Sequence, residues 1–177
     1  MNITLPTLAL RVVSLFAANN DLRTMLNGVF ITTASNAAYI VATNGVALGA
    51  IKIPGTFEYA NFIVPKGIVD RLNSKSPTIT LFFNNIMNGE HIFKPIDAKF
   101  PDWRRTIPKE LSGKVGQFDP QYLNLFSKAA ALVKGGLPRI GHNGESGCAR
   151  VYIGDKFEFL GLLMPVRSTT PEFKEFI

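Results

Sequence analysis

Three rounds of one helix followed by strands, punctuated by turn dipeptides such as Asn44-Gly45, predict an α+β protein with a largely antiparallel sheet. The composition fits a packed core: 46% of residues are hydrophobic, 18% are charged and 14 are Phe, which sets the chain outside the disordered class. At 177 residues there is room for one substantial core or two small ones, and little for separate cofactor and substrate lobes.

The first round opens on the apolar stretch from Leu5 to Ala18. Leu8, Val12 and Leu15 recur at helical spacing, Pro6 suits a first turn and Asn19-Asn20 suit an exit, so the stretch reads as a helix. It imitates the apolar part of a secretory signal, but nothing basic precedes it and Arg11 interrupts it. No apolar run reaches the ~20 residues that cross a bilayer, so a soluble, cytoplasmic protein without membrane contact is expected. Strand character follows at Gly28–Thr33, Ala38–Thr43 and Val46–Ile53, separated by Ser35-Asn36 and by Asn44-Gly45, a dipeptide that tolerates the positive φ of a tight hairpin.

The second round starts with a short strand at Asn61–Val64, and Pro65 opens a helix whose Ile68, Val69 and Leu72 form one apolar face. Strands follow at Thr78–Phe83 and His91–Ile96, with the Asn-rich run from Asn84 to Gly89 as a loop or short middle strand. The third round begins near Lys114. Asp119-Pro120 is a capping residue followed by proline at the first helical position. Tyr122, Leu125, Phe126, Ala129, Leu132 and Val133 sustain a helical stripe that Gly135-Gly136 stops. Strands at Arg150–Gly154 and Phe157–Pro165 close the round. The Pro54-Gly55 turn and the polar stretch from Lys109 to Gly113 are the boundaries, and Ser168–Ile177 has no partner pattern.

Several chemistries lack their residues. His91, His142 and Cys148 are the only soft metal ligands and none are spaced as in zinc sites. A single cysteine excludes an intrachain disulfide. Gly144-Glu145-Ser146-Gly147 hints at a nucleophile elbow, but Cys148 stands where the closing glycine belongs, and the setting reads as a hairpin turn. No phosphate-cradling glycine motif follows a strand. Asp97 and Asp102 read as solvated loop acids rather than a paired acid and base. The sequence therefore predicts neither an enzyme nor a cofactor. A net charge of +6 favours phosphate-bearing partners in general terms.

Five strings occur in one order: Asp21 to Gly28 (DLRTMLNG), Val41 to Leu48 (VATNGVAL), Phe62 to Leu72 (FIVPKGIVDRL), Asp97 to Pro108 (DAKFPDWRRTIP) and Leu163 to Arg167 (LMPVR). The series resembles the bacterial DNA polymerase III beta sliding clamp, and the run around Phe100 to Pro108 is its most specific part. The first four strings resemble the family's middle domain and its run into the third; the last resembles its C-terminal strand. The resemblance implies the DNA clamp (processivity) fold of repeated β-α-β-β-β units, here about three per chain. Residues 1–108 would form a two-unit domain, 109–167 a third unit and 168–177 a tail, so the chain looks like a clamp shortened to about half length.

It further implies a processivity factor, active in DNA replication, that holds a polymerase on duplex DNA by topology, without reading sequence. The basic residues expected toward DNA are Arg11, Lys66, Arg71 and Lys128 on the helices and Arg23 on the turn; read alone, each is also an ordinary solvated charge. Thr24 and Met25 stand where the family has exposed aromatics, and neither can stack on a base. The implied partners are linear peptide motifs of polymerases and the clamp loader. Their pocket, by position, is Leu26, Thr43, Gly45, Val46, Leu48, Pro108, Met164, Pro165, Val166 and Arg167, although Leu26, Leu48 and Met164 also read as core. Val46 and Ala47 replace the family's histidine and arginine. Three units cannot enclose a duplex, so a ring requires a homo-oligomer; the family sets twelve units around its hole, which four chains would supply. The competing expectation is a non-encircling adaptor or decoy that keeps the pocket and competes for clamp-binding partners.

Overall fold

The structure, a computed structural model, describes residues 2–82, 93–111, 113–154 and 157–167. The elements run β1 (Asn2–Pro6), α1 (Thr7–Ser14), β2 (Gly28–Ala34), β3 (Ala37–Thr43), β4 (Ala47–Pro54), β5 (Asn61–Pro65), α2 (Lys66–Asp70), β6 (Thr78–Phe82), α3 (Pro120–Val133), β7 (Arg139–Asn143), β8 (Gly147–Tyr152) and β9 (Glu158–Leu163). Short 3₁₀ turns occupy Thr24–Leu26 and Trp103–Thr106. Seven strands form one sheet in the order β5-β2-β3-β4-β9-β8-β7, while β1 and β6 make a separate ribbon. Every pairing between these strands is antiparallel.

The period-2 pattern of the central strands decides what covers each face. Val29, Ile31, Ala38, Ile40, Ala42, Ala47 and Ile51 join Leu10, Val13 and Phe16 from the α1 region, Val69 of α2, and Phe126, Ala129 and Val133 of α3 in the main core. Ile3, Leu5 and Leu81 of the β1–β6 ribbon close the same core. The alternate residues Val41, Leu48, Ala50, Ile63 and Leu162 form a second cluster on the other face, under Phe100 and Trp103. The three helices therefore share one face, with α1 packed against both α2 and α3, and the segment around Phe100 to Thr106 covers part of the opposite face. Phe100 stacks on Phe30 with ring centroids 4.7 Å apart.

Where β4 meets β9, Gly49 pairs with Gly161. A Cβ on Gly49 would lie 2.4 Å from Phe16 Cδ2, and one on Gly161 2.4 Å from Phe126 Cε1. The two missing side chains leave a shallow seat for two rings whose centroids are 4.9 Å apart. This aromatic pair joins the end of α1 to α3 directly above the seam.

The expected strands over 28–33, 38–43, 46–53 and 61–64 appear within one residue of their observed bounds. Three expectations are corrected. Residues 2–6 form a strand, so the helix starts at Thr7, and Pro6 ends β1 in extended geometry (φ −61°, ψ 123°) instead of sitting in a helical turn. Ile3 and Leu5 alternate with Thr4 and Pro6 and pair with β6. β7 has no counterpart among the expected strands, because Ile140 is its one large aliphatic residue and its pairing is supplied by β8. The described part of the expected 91–96 strand, residues 93–96, lies in no strand, although Phe93 is buried and Ile96 N–H bonds Ile63 O at 3.0 Å. His91, the run 84–89 and the tail 168–177 lie outside the described residues.

α3 starts as expected: Asp119 Oδ1 accepts from Gln121 N–H at 2.8 Å, ahead of Pro120. Its end falls one residue earlier than the glycine pair suggests. Lys134 takes the left-handed conformation at φ 54°, and Gly135 N–H then reaches Ala130 O at 2.9 Å. Asp119→Ala is expected to cost about 1 kcal/mol, read as a lower urea midpoint at unchanged slope; an unchanged midpoint would mean the cap contributes nothing.

Candidate functional site

Two local devices preorganise the turns on one flank of the sheet. In the loop after α1, Asn27 clasps Asp21 through both backbone groups: its Oδ1 accepts from Asp21 N–H at 2.9 Å and its Nδ2 donates to Asp21 O at 2.8 Å. Asp21 in turn holds Arg23, accepting from Nε at 3.0 Å, Nη2 at 2.8 Å and the backbone N–H at 2.8 Å. The hydrogen bonds from Arg23 hold the Asp21 carboxyl at about 2, below its ordinary 3.8, and the same contact raises Arg23. Because the folded value is depressed, this pair's contribution is complete above pH 3.8 and is lost as pH falls through about 2. Urea midpoints from pH 5 to 2 are expected to fall less steeply in Asp21→Asn than in the parent; equal slopes would discount the pair.

The second device is the β3–β4 turn. Asn44 Oδ1 accepts from Val46 N–H at 3.0 Å and Ala47 N–H at 2.9 Å, while Thr43 Oγ1 donates to Ala47 O at 2.8 Å and accepts from Gly45 N–H at 3.0 Å. Gly45 has φ 93°, and a Cβ there would meet the Arg23 guanidinium at 2.9 Å. The backbone conformation demands glycine here, and the end of the arginine packs over it.

These devices bring most of the expected pocket residues to one place. Thr43, Gly45, Val46 and Leu48 share the hairpin, and Met164 N–H bonds Val46 O at 3.0 Å. Pro165 contributes a Cβ 2.9 Å from where a Gly116 Cβ would stand, and Val166 N–H bonds Gln117 O at 2.8 Å. Leu26 is 3% exposed, in the 3₁₀ turn that carries Arg23 onto Gly45. Leu48 is buried as well, whereas Met164 is 43% exposed and Val166 and Arg167 are also exposed. Two of the expected residues, Leu26 and Leu48, are thus buried, and Met164 and Val166 are exposed.

Pro108 reaches this set through a residue the sequence reading missed. On the outer face Leu48 pairs with Leu162, and Leu162 pairs with Arg150. Adjacent strands lie ~4.8 Å apart, so Leu48 and Arg150 stand about 10 Å apart with Leu162 between them. The Arg150 Nη2 donates to Pro108 O, while its Nε is buried without a partner. Cys148 packs on the same cluster, and burial raises its thiol above the ordinary 9.0, which disfavours the thiolate. The Gly144 region is the β7–β8 hairpin turn, as expected from its glycines.

The expected DNA-facing cations differ in their freedom. Arg23 is paired with Asp21, and Lys66 Nζ lies 2.5 Å from Asp70 Oδ2. Arg71 Nε donates to Gly67 O at 2.9 Å. Among the described residues, Arg11 on α1 and Lys128 on α3 have no ion-pair partner; Lys128 is exposed and Arg11 half-buried. Arg11, Lys66 and Lys128 sit on the helices, which all cover one face of the sheet, and Arg71 caps the end of α2.

A cleft of about 510 Å³ lies beside Asn44, between residues 15–21 and the first turns of α3. Asn19, Asn20, Asn44, Gln121 and Tyr122 among its lining were not expected as site residues. Three segments distant in sequence build it, so no spacing could reveal it; the one local signal is Asn20, whose φ of 57° fits a residue type that tolerates that conformation.

No protein-family model matches the chain. The beta sliding clamp of Salmonella typhimurium is 33% identical over 104 residues, which are 52% of this chain and 28% of that protein. That of Haemophilus influenzae is 31% identical over 127 residues, 65% of this chain and 35% of the relative. The matched segments thus span about a third of those relatives' length. Among solved structures, the DNA polymerase III beta subunit of Thermotoga maritima superposes with a TM-score of 0.72 at 15% identity, covering 95% of this chain and 66% of that one. The beta subunit from the DNA polymerase of Streptococcus pyogenes gives 0.75 at 16%, with the same coverages. The chain has the fold of the sliding clamps and resembles them in sequence.

Proposed function

We propose that the chain is a non-enzymatic, clamp-type processivity factor of DNA replication that associates into a ring on duplex DNA. In this reading the crevice at the β3–β4 turn accepts linear peptide motifs of a polymerase or clamp loader. The observation that carries the reading is the exposed apolar pair Met164 and Val166, joined to the β3–β4 turn by the Met164–Val46 hydrogen bond. An exposed apolar surface with few polar anchors suits the apolar end of a peptide. The basic helix face suits phosphates, which attract cations without base contacts and so permit sliding. The proposed division places residues 1–108 in a two-unit domain and 109–167 in a third unit, with β4 and β9 as the joint. The proposed DNA contacts are Arg11, Arg23, Lys66, Arg71 and Lys128.

Retention on nicked circular DNA, measured before and after linearisation, tests the ring, because only a topological link is released by cutting. Retention that survives linearisation, or a stable monomer by light scattering at micromolar concentration, would sink it. The adaptor reading keeps one supporting observation: Arg23 and Lys66 are already committed to carboxylates. If Arg11, Lys66, Arg71 and Lys128 all changed to Ala leave peptide binding intact while the parent itself shows no circular-DNA retention, the adaptor reading stands and the ring does not.

A further inference from the structure

Among the described residues, the seven-stranded sheet is one strand short of symmetric. Outward from the β4–β9 seam come β3 and β8, then β2 and β7; β5 lies beyond β2, whereas β7 ends the sheet. The two halves match around Gly49 and Gly161, with Phe16 and Phe126 seated on the paired glycines. Two pairings show how such an outermost strand is supplied. β1 runs into α1 and pairs with β6, the first strand after α2; β5 runs into α2 and pairs with β2, the first strand after α1. In both, the residue before the helix faces the first residue of the receiving strand, Pro6 opposite Thr78 and Pro65 opposite Gly28. Residues 115–119 run into α3 in the same way, yet among the described residues no strand receives them. They are already held from one side as β5 is held: Val166 N–H bonds Gln117 O at 2.8 Å, and Ile96 N–H bonds Ile63 O at 3.0 Å, each acceptor standing three residues before its helix. The backbone groups of Gly116 and Phe118 have no hydrogen-bond partner among the described residues. Apolar side chains flank both bare edges: Leu137 is 95% exposed and Val115 63%, and Ile140 and Tyr152 are exposed as well.

We infer that the chain forms a two-fold dimer in which residues 115–119 of each copy pair antiparallel with the bare edge of β7 of the other. This rests on the homo-oligomer part of the reading above and not on its DNA or peptide binding. The two existing pairings give the register: Asp119 of one copy faces Arg139 of its partner, Phe118 faces Ile140 and Gln117 faces Gly141. Directly opposed residues share a face of the sheet, so the first pair joins unlike charges and the second joins two apolar side chains. Arg139 is exposed, and among the described residues no carboxylate pairs with it. Asp119 uses Oδ1 on Gln121 N–H, which leaves Oδ2 for the guanidinium. A second copy is the occupant that supplies both missing partners: each chain lacks a strand beside β7 and a strand beside residues 115–119, and a two-fold axis fills each with the other. It also covers an edge that a monomer would leave open to uncontrolled pairing.

Sedimentation equilibrium of the full chain in the micromolar range tests it. The parent is expected to be a dimer or a larger even assembly. Arg139→Glu sets like charges opposite each other twice in one dimer and is expected to weaken association about tenfold or more. Adding Asp119→Lys restores two unlike pairs in reversed order, and the affinity is expected to return to within about threefold of the parent. Ile140→Lys places a charge in the apolar pair of the edge strand and is expected to halve the assembly. Melting curves establish that each variant is folded, and Ile140→Lys carries the comparison if the doubly exchanged protein, which lacks its helix cap, is not. If the parent associates but neither Arg139→Glu nor Ile140→Lys weakens it, the β7 edge is overturned while the homo-oligomer stands. A parent that stays monomeric removes both. If the variants behave as expected and circular DNA is still not retained, the dimer stands and the ring on DNA falls.

Discussion

Phe16→Ala is expected to lower folding stability by about 3–5 kcal/mol, the range for removing a large aromatic from a core. Phe16 is 0% exposed. Its ring rests on Gly49 and meets Phe126 at 4.9 Å and Phe159 at 5.9 Å. The truncation therefore opens a void where α1, α3 and the β4–β9 seam converge, and neighbouring backbone cannot collapse into it without breaking strand pairing. The reverse fault is available at the same place. Gly49→Ala inserts a methyl 2.4 Å from the ring and is expected to cost about 1–3 kcal/mol through overpacking. Because both changes act on one contact, Gly49→Ala combined with Phe16→Ala should cost less than the sum of the two single changes. Urea midpoints of the four proteins decide it; strict additivity, or a Phe16→Ala loss under about 1 kcal/mol, would show that the ring does not hold the seam.

Trp103→Ala is expected to bring a loss of similar size, about 3–5 kcal/mol, but by detaching the cover of the outer face. Trp103 is 6% exposed and sits beside Tyr39, with the Arg104 guanidinium 4.5 Å from its own ring centroid and 4.7 Å from that of Tyr39. Two terms oppose each other in Trp103→Phe. Volume is lost, yet the unpaired buried Nε1 disappears as well, and an orphaned donor costs about 1–3 kcal/mol. Trp103→Phe should therefore be markedly milder than Trp103→Ala, within about 1.5 kcal/mol of the parent. As the one tryptophan of the chain, Trp103 also reports on the cover directly through its own emission in the parent. Equal losses in the two variants would mean that the indole N–H does find an acceptor.

The central hairpins were readable from residues because their information is local. β2, β3 and β4 are short apolar runs bounded by turn residues, and Asn44-Gly45 marks a turn whose chemistry is complete within Thr43 to Ala47. The start of α3 was equally local, since Asp119 and its acceptor role lie two residues from Gln121. β1 was hidden because Leu5 fits a helical stripe with Leu8 and Val12 as well as it fits a strand, and only pairing with β6 settles the matter. β7 was hidden because its pairing, including the shift between Gly141 and Asn143, comes from β8 rather than from its own side chains. Of the candidate site, the hairpin and the segment at Met164 could be named only by resemblance. Arg150 could not, since its nearness to Pro108 follows from the order in which β4, β9 and β8 lie side by side, a property that no single stretch of sequence contains.

That order has a mechanical consequence. β4 belongs to the first round of the chain and β9 to the third, yet their backbones pair from Ala47–Leu163 to Lys52–Glu158 as one ladder. The two rounds therefore share one continuous backbone ladder at the middle of the sheet. The central amides of this ladder, such as those of Ala50 and Leu160, should exchange with deuterium only when the whole molecule opens.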